Sequence, residues 1–340
     1  MNQNFLDKHK KIHYLGKCVK NINNDVFVNR FIEFGKDPYS IQIVNKGTEN
    51  RGKIVMLITN NYPLNGFFAE FMDTLKLLAY ADRLGFEPYV LYKNDFLYFE
   101  EGDTNTFDEY FVQPTQLTLN LVNHSCNLFE SSLEHSYLFD IEHAWKPGKY
   151  LFDEKYINDL ALVMQKYIKL NEFTESYIQD SMTRLFRNNN KILGVHHRET
   201  DFKAGYRNHP SYISVEEKMN EIDLIQDKYD LIFIATDSKN AIDKFRKRWP
   251  DKVVYYTDVF RSDGEVSVAF SDDDRKDHKH LLGLEVLRDM YTLARCDGLI
   301  AGISKVSVCA QITKKNFNQD YEYIKILDNG INQTGKYFGK

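Results

Sequence analysis

At 340 residues, 43% hydrophobic and 14% aromatic, the chain can bury a sizeable core and is long enough for two domains. Its net charge of -5 and pI near 6.1, with both signs interspersed, exclude a nucleic-acid binder held by a broad basic field, so any anion has to be held locally. The four cysteines, Cys18, Cys126, Cys296 and Cys309, form no CxxC pair and no metal-ligand spacing, which fits a reducing compartment.

Residues 1–50 are polar, with one mildly periodic patch at 26–34, and read as an extension. The opening MNQNFLDKHKKIHYLG lacks the apolar core of a signal peptide and no window approaches a membrane span, so a cytoplasmic protein is expected, at most resting on a membrane. Residues 53–59 form an apolar strand, 60–66 a turn-rich loop, and 67–84 a long helix carrying Phe68, Phe71, Leu75, Leu78, Ala79 and Leu84 at helical spacing. Gly85 stops the helix and 87–92 supply the next strand, completing a unit of the kind that builds parallel sheets. Asn65 and Gly66 stand at the helix N-terminus, where free N–H groups and the dipole favour an anion; an ordinary loop and cap is the plainer alternative.

Residues 96–149 are aromatic-rich and less periodic, and complete a first domain. Residues 153–187 read as helical almost throughout, with stripes at Tyr156, Leu160, Val163, Met164, Tyr167 and at Phe173, Tyr177, Met182, Leu185, Phe186, able to bridge two domains. The second half repeats the strand and helix pattern: strands near 191–195, 231–235, 252–256, 298–301 and 323–327, helices near 215–225, 239–249, 281–295 and from 304. The fold class is therefore α/β twice over, two Rossmann-like doubly wound domains facing a cleft, with boundaries at 51–188 and 189–340.

The strand at 191–195 ends abruptly in His196, His197, Arg198, Glu199, Thr200 and Asp201. Open α/β sheets keep their ligands outside the carboxyl ends of strands, and period-2 alternation puts Gly194, His196 and Arg198 on one face. Arg198 is a five-donor fork suited to phosphate oxygens, with His196 able to donate beside it; alternatively Arg198 pairs with Glu199 or Asp201 on the surface. A second strand ends in Thr236 and Asp237, with Ser238 opening a helix as an ordinary cap. In 283–309, Asp289 could accept from both N1–H and N2–H2 of guanine or could be a solvated helix residue, and Ser304 opens a helix whose amides offer another anion site.

Taken together, these stretches resemble a known superfamily. His196-His-Arg-Glu-Thr-Asp201 is similar to the HxRRTD motif of the fucosyltransferases that include the nodulation and N-glycan core α1,6 enzymes, with related signatures in α1,2- and protein O-fucosyltransferases. Ala235-Thr-Asp237 resembles their second motif, and Asp289, Leu293, Cys296, Asp297 and Ser304 the third. Asn65-Gly66-Phe67 before a helix, closed by Ala81-Asp-Arg-Leu-Gly85, is similar to the opening of their N-terminal domain. The likeness spans about 53–327, specific in the second half and loose in the first.

The resemblance implies a GT-B fold, a GDP-sugar donor such as GDP-fucose, a glycan acceptor, inversion at the anomeric carbon and no metal or other cofactor. It implies that Arg198 holds the β-phosphate, His196 and Asp289 the guanine, Gly66 a diphosphate oxygen through its amide, and Ser304 the phosphates. Two departures stand out. Glu199 replaces the common second Arg of the motif, and the Lys and Glu that follow it in the α1,6 enzymes align with Phe202 and Tyr206. A base for the acceptor hydroxyl is open among His197, Glu199, Asp201 and Glu70. The DxD within 271–280 is interleaved with Arg275, Lys276 and Lys279 and reads as a solvated loop rather than a metal site. A cytoplasmic enzyme building a surface polysaccharide is expected; the alternatives are a GT-B transferase using another nucleotide sugar, or a non-catalytic sugar- or nucleotide-binding homologue.

Overall fold

A computed structural model of the chain describes residues 39–102, 104–143, 153–186 and 191–337, with Gly16, Val19, Lys20 and Ile22 before them. Most of the expected extension, including the patch at 26–34, and the expected boundary at 188 and 189 lie outside the described residues.

The first half runs through β1 (Ile43–Val44), β2 (Val55–Thr59), α1 (Phe67–Leu84), β3 (Glu87–Leu91), β4 (Phe111–Val112), α2 (Leu119–Asn123), β5 (Leu128–Glu130) and α3 (Leu133–Glu142). Helix α1 has the expected bounds; it buries Phe68, Phe71, Leu75 and Leu78, and Gly85 closes it at φ 67°, a conformation a side chain disfavours. Strands β5, β2 and β3 are parallel in the order β1-β5-β2-β3, and β1 is an antiparallel edge.

The stretch 153–187 is two helices rather than one long run: α4 (Glu154–Tyr167) and α5 (Glu172–Leu185), separated by β6 (Lys169–Leu170). Ile168 is already extended, Asn171 caps α5 by accepting the Thr174 N–H at 2.8 Å, and β6 pairs antiparallel with β4. That distant pairing supplies backbone partners that local periodicity does not reveal. Phe173, assigned to a buried stripe, is 62% exposed.

The second half is β7 (Ile192–His197), the short helix α6 (Thr200–Lys203), α7 (Val215–Asp223), β8 (Leu231–Thr236), α8 (Lys239–Arg248), β9 (Val253–Val254), α9 (His278–Arg295), β10 (Gly298–Gly302), α10 (Lys305–Asn316) and β11 (Tyr323–Leu327). Its sheet is all parallel in the order β11-β10-β7-β8-β9. Along β7 the alternation is clean: Leu193 and Val195 pack with Val215 and Phe245 of the outer helices, while Ile192 joins the core on the opposite face.

That inner core is shared by both sheets. Helix α10 packs on α1, α4 and α9, so Phe71, Leu78 and Leu160 of the first half and Leu287, Val308 and Ile312 of the second belong to one cluster. Helix α5 packs on α9, the bridging role expected of the 153–187 segment. No helix among the described residues is long and apolar enough to cross a membrane.

The strand order positions the site. From β7 the chain moves outward through β8 and β9, then returns to place β10 on the other side of β7, so the carboxyl ends of β7 and β10 flank a topological switch point. In the first sheet β3 and β5 lie on opposite sides of β2, whose carboxyl end feeds the loop to α1. Ligand crevices form at such reversals because the connections leave the strand ends in opposite directions.

Candidate active site between the two sheets

A cavity of about 360 Å³ opens where both switch points meet. The first half lines it with Tyr62, Asn65, Gly66, Phe67 and Tyr98, the second with His196, Arg198, Asp201, His209, Ser304 and Lys305, and Leu97, Val268, Phe270, Leu282 and Val286 supply an apolar wall. Such a mixture of apolar surface and a few convergent polar groups suits a small molecule with a charged end.

Arg198 is held from several sides. Its Nη2 lies 2.7 Å from Asp201 Oδ1 and donates at 2.7 Å to Ser267 Oγ, and its Nη1 lies 3.1 Å from Asp237 Oδ2. Burial works against the guanidinium charge, and Asp237 and Asp201 more than restore it. Thus the pairing with Asp201 foreseen as a surface contact occurs, but inside the cavity wall, where it orients the fork. Asp237 does not line the cavity; it accepts the Glu199 N–H and the Thr200 hydroxyl and acts on the site through Arg198.

His196 does share the cavity face with Arg198, as the alternation requires, and its Nδ1 lies 3.2 Å from Ser304 Oγ. Burial, then the nearby Lys218 and Arg198 charges, push its pKa well down, so the ring is neutral at physiological pH. His197 faces the other way. Its ring meets Phe245 and Tyr212, its Nε2 lies 3.0 Å from Glu199 Oε2, and it does not reach the cavity.

Two helix N-termini converge on the same space. Ser304 caps α10, accepting the Ser307 N–H at 3.1 Å. Gly66 precedes α1 with φ −64° and no side-chain cap, and a Cβ built there meets nothing within 4 Å. Its backbone would suit any residue, and because it borders the cavity a larger side chain there would take up cavity space. Gly66→Val is therefore expected to leave the thermal melting point almost unchanged while weakening binding of a diphosphate about tenfold or more, about 1.4 kcal/mol, by calorimetry.

Several sequence-predicted candidates lie elsewhere. Glu70 is fully buried behind the 60–66 loop, where its oxygens accept the Asn61 N–H at 2.9 Å and the Asn65 amide at 3.0 Å; burial, with Asp73 beside it, pushes its pKa up to about 7. Glu70 thus clamps the loop that carries Asn65 and Gly66. Burial pushes Glu199 up, but hydrogen bonds from His197, Lys203 and Ser238 outweigh it and hold the carboxyl at about 2, so it is a poor proton acceptor away from the cavity. Among the expected bases, only Asp201 lines the cavity.

Asp289 is 8% exposed and stands behind the wall residue Val286, one helical turn along α9. Burial, against Arg261 and Arg288, raises its pKa to about 7, so it is not the solvated residue its helix position also allowed. Its Oδ1, Arg261 Nη2 and Arg288 Nε are buried atoms without a hydrogen-bond partner among the described residues. Such groups are costly to leave unpaired, and together they offer one acceptor and two donors.

Sequence reasoning missed Lys218, His209 and Tyr98. Lys218 is 1% exposed, and burial lowers its ammonium pKa to about 8. It sits in an amphipathic helix as an ordinary polar residue, and only the packing of α7 under Gly302 turns it inward. Tyr98 accepts the Phe67 N–H at 3.2 Å, filling one free donor at the start of α1. His209 follows the motif by only eight residues, and its lone imidazole in a loop without hydrophobic periodicity carried no local signal. Among the described residues no group of three His, Cys, Asp or Glu could hold a metal; in the 271–280 loop Asp272 is fully exposed, and Arg275 pairs with Glu285.

The fold is of the GT-B type: two mainly parallel α/β sheets, the first with an antiparallel edge strand, and a cavity at the carboxyl ends of both. No family model matches the chain, and no curated protein sequence does. Solved structures similar to it include fucosyltransferases. The NodZ alpha-1,6-fucosyltransferase soaked with GDP-fucose is 15% identical, covering 76% of this chain and 92% of its own with a TM-score of 0.49; NodZ from Bradyrhizobium has also been solved. POFUT1 in complex with GDP-fucose is 10% identical, covering 82% and 99% at a TM-score of 0.46. Arabidopsis thaliana FUT1, as a variant in complex with GDP, is 9% identical, covering 84% and 73% at a TM-score of 0.47.

Proposed function

We propose that this protein is an inverting, metal-independent glycosyltransferase that moves fucose from GDP-fucose to a glycan hydroxyl. The observation that carries the proposal is the convergence of Arg198, His196 and the N-termini of α1 and α10 on one cavity. Transfer breaks the bond between the anomeric carbon and a β-phosphate oxygen as the acceptor oxygen bonds to that carbon, and a fixed guanidinium with the positive ends of the α1 and α10 dipoles stabilises the departing diphosphate without reorganising. Arg198 then does what a divalent cation does in metal-dependent transferases, with Asp201 and Asp237 keeping it oriented. The apolar wall formed by Leu97, Val268 and Phe270 suits a 6-deoxy sugar, whose methyl group gains about 0.8 kcal/mol on burial.

The three unpaired atoms around Asp289 support guanine as the base, because guanine offers N1–H and N2–H2 as donors and O6 and N7 as acceptors. The acceptor as a glycan of a surface polysaccharide, and the cytoplasm as the compartment, are proposed on the sequence grounds alone. The test is thermal shift with GDP, UDP and ADP, followed by GDP release from GDP-fucose and GDP-mannose in excess EDTA. A ligand at 100 times its Kd should add about 2.7 kcal/mol of stability. GDP is expected to stabilise most, and GDP release to persist in EDTA with a preference for GDP-fucose. Activity that vanishes in EDTA and returns with Mn²⁺ would refute metal independence; indifference to all three nucleotides would refute the donor assignment.

A further inference from the structure

The base left open by the sequence has few positions to occupy. His197, Glu199 and Glu70 are turned away from the cavity, and Asp201 is tied by Arg198 at 2.7 Å and by the Thr200 hydroxyl at 3.3 Å. Both contacts fall on Oδ1 and hold the carboxylate in place as the orienting partner of Arg198. His196 is directed to Ser304 and lies beside Arg198, whose charge opposes protonation of the ring.

His209 also lines the cavity, and it is not fully buried. Its backbone is pinned on both sides: its N–H donates to the Tyr206 carbonyl at 3.2 Å, and its carbonyl accepts the Asn332 N–H at 2.9 Å, while Pro210 bridges to Ile331. The residue is thus anchored between the segment after α6 and the C-terminal strap. The Tyr206 ring lies 5.9 Å from the imidazole, and Asp201 is the acidic group acting on it. Asp201 therefore pairs with Arg198 and also acts on the His209 imidazole.

We infer that His209 is the general base that deprotonates the acceptor in this cavity, with Asp201 stabilising the imidazolium. The inference rests on the proposed transferase reading. In the step, the unprotonated ring nitrogen takes the proton of the acceptor hydroxyl as that oxygen bonds to the anomeric carbon. The bond from that carbon to the β-phosphate oxygen breaks, its electron pair leaving on GDP beside Arg198, and the imidazolium later returns the proton to solvent. Burial keeps His209 below the ordinary histidine range, Asp201 opposes that shift in part, and the ring is therefore in its accepting form at neutral pH.

GDP release from GDP-fucose, with water as the acceptor, tests the inference for the wild type, His209→Gln and His209→Ala, alongside calorimetric GDP binding. His209→Gln is expected to bind GDP within about twofold of wild type and to turn over about 10²-fold more slowly. The acidic limb of the wild-type pH profile of kcat, taken at saturating GDP-fucose, should disappear in that variant, and added imidazole should restore part of the activity of His209→Ala. A His209→Gln variant that turns over at the wild-type rate with the same acidic limb overturns the assignment while leaving the donor reading intact. A wild type that neither binds GDP nor releases it from GDP-fucose overturns both.

Discussion

Replacing Arg198 by alanine is expected to lower kcat for transfer from GDP-fucose by about 10²- to 10³-fold, about 3 to 4 kcal/mol, the cost of removing a preorganised donor from a developing negative charge. The structure adds a second consequence. Arg198 neutralises Asp201 and Asp237 at once, so alanine leaves two carboxylates facing each other, and the fold should lose stability as well. Arg198→Lys separates the two effects. A lysine keeps the charge between the carboxylates but not the planar fork, so the melting point should recover more than the rate. Single-turnover kinetics and thermal melts on both variants decide the matter, and near-normal turnover in Arg198→Ala would remove Arg198 from the mechanism.

GDP is expected to bind more tightly than ADP or UDP, and Asp289→Ala to erase most of that margin while diphosphate affinity through Arg198 survives. A carboxylate that accepts both guanine donors loses them with adenine, and unpaired buried groups then cost about 1 to 3 kcal/mol. Since Asp289 lies behind Val286, guanine has to displace part of the wall to reach it, and the unpaired atoms of Asp289, Arg261 and Arg288 supply the driving force.

Protonation gives this prediction a sign. With a pKa raised to about 7, Asp289 holds its proton in the free protein below that pH, and the neutral carboxyl is a poor acceptor for two N–H groups. GDP affinity should fall towards acid pH by up to tenfold per unit below 7, and its margin over UDP should shrink with it. Stability runs in the opposite direction. The folded state binds this proton more tightly than the unfolded chain does, so the contribution of Asp289 is present at acid pH and is lost as pH rises towards 7. Asp289→Asn should thus stabilise the free protein above pH 7. Calorimetric titrations of wild type, Asp289→Ala and Asp289→Asn at pH 6 and 8 check each part; a pH-independent margin for GDP would exclude Asp289 as the reader.

Much of the scaffold was legible because its signals are local. The stripe of α1 with Gly85 behind it marks both ends of that helix, and the capping pattern at Ser304 marks the start of α10. Alternation along β7 separated His196 and Arg198 from His197 before any coordinates were needed. Where a distant partner decides, the local pattern is silent: the two stripes of 153–187 fall on α4 and α5, but the short strand between them forms by the pairing of β6 with β4.

By itself, then, the sequence determined the α/β class, the strand ends at which chemistry-bearing side chains gather, and the face that His196 and Arg198 share, because each follows from chain-local sterics and patterning. Tertiary structure alone decided what each polar group does. Glu70, Glu199, Asp201 and Asp237 are equivalent carboxyls in the sequence. Folding makes Glu70 a loop clamp held near pKa 7, Glu199 an ionised partner of His197 and Lys203, and Asp201 and Asp237 the two holders of Arg198. The reason is physical: a carboxyl's proton affinity and reach are set by burial and by the charges and donors within a few ångströms, and which of the many nearby or distant residues those are is fixed only when the chain packs, as when Asp237 meets Arg198 across 39 positions.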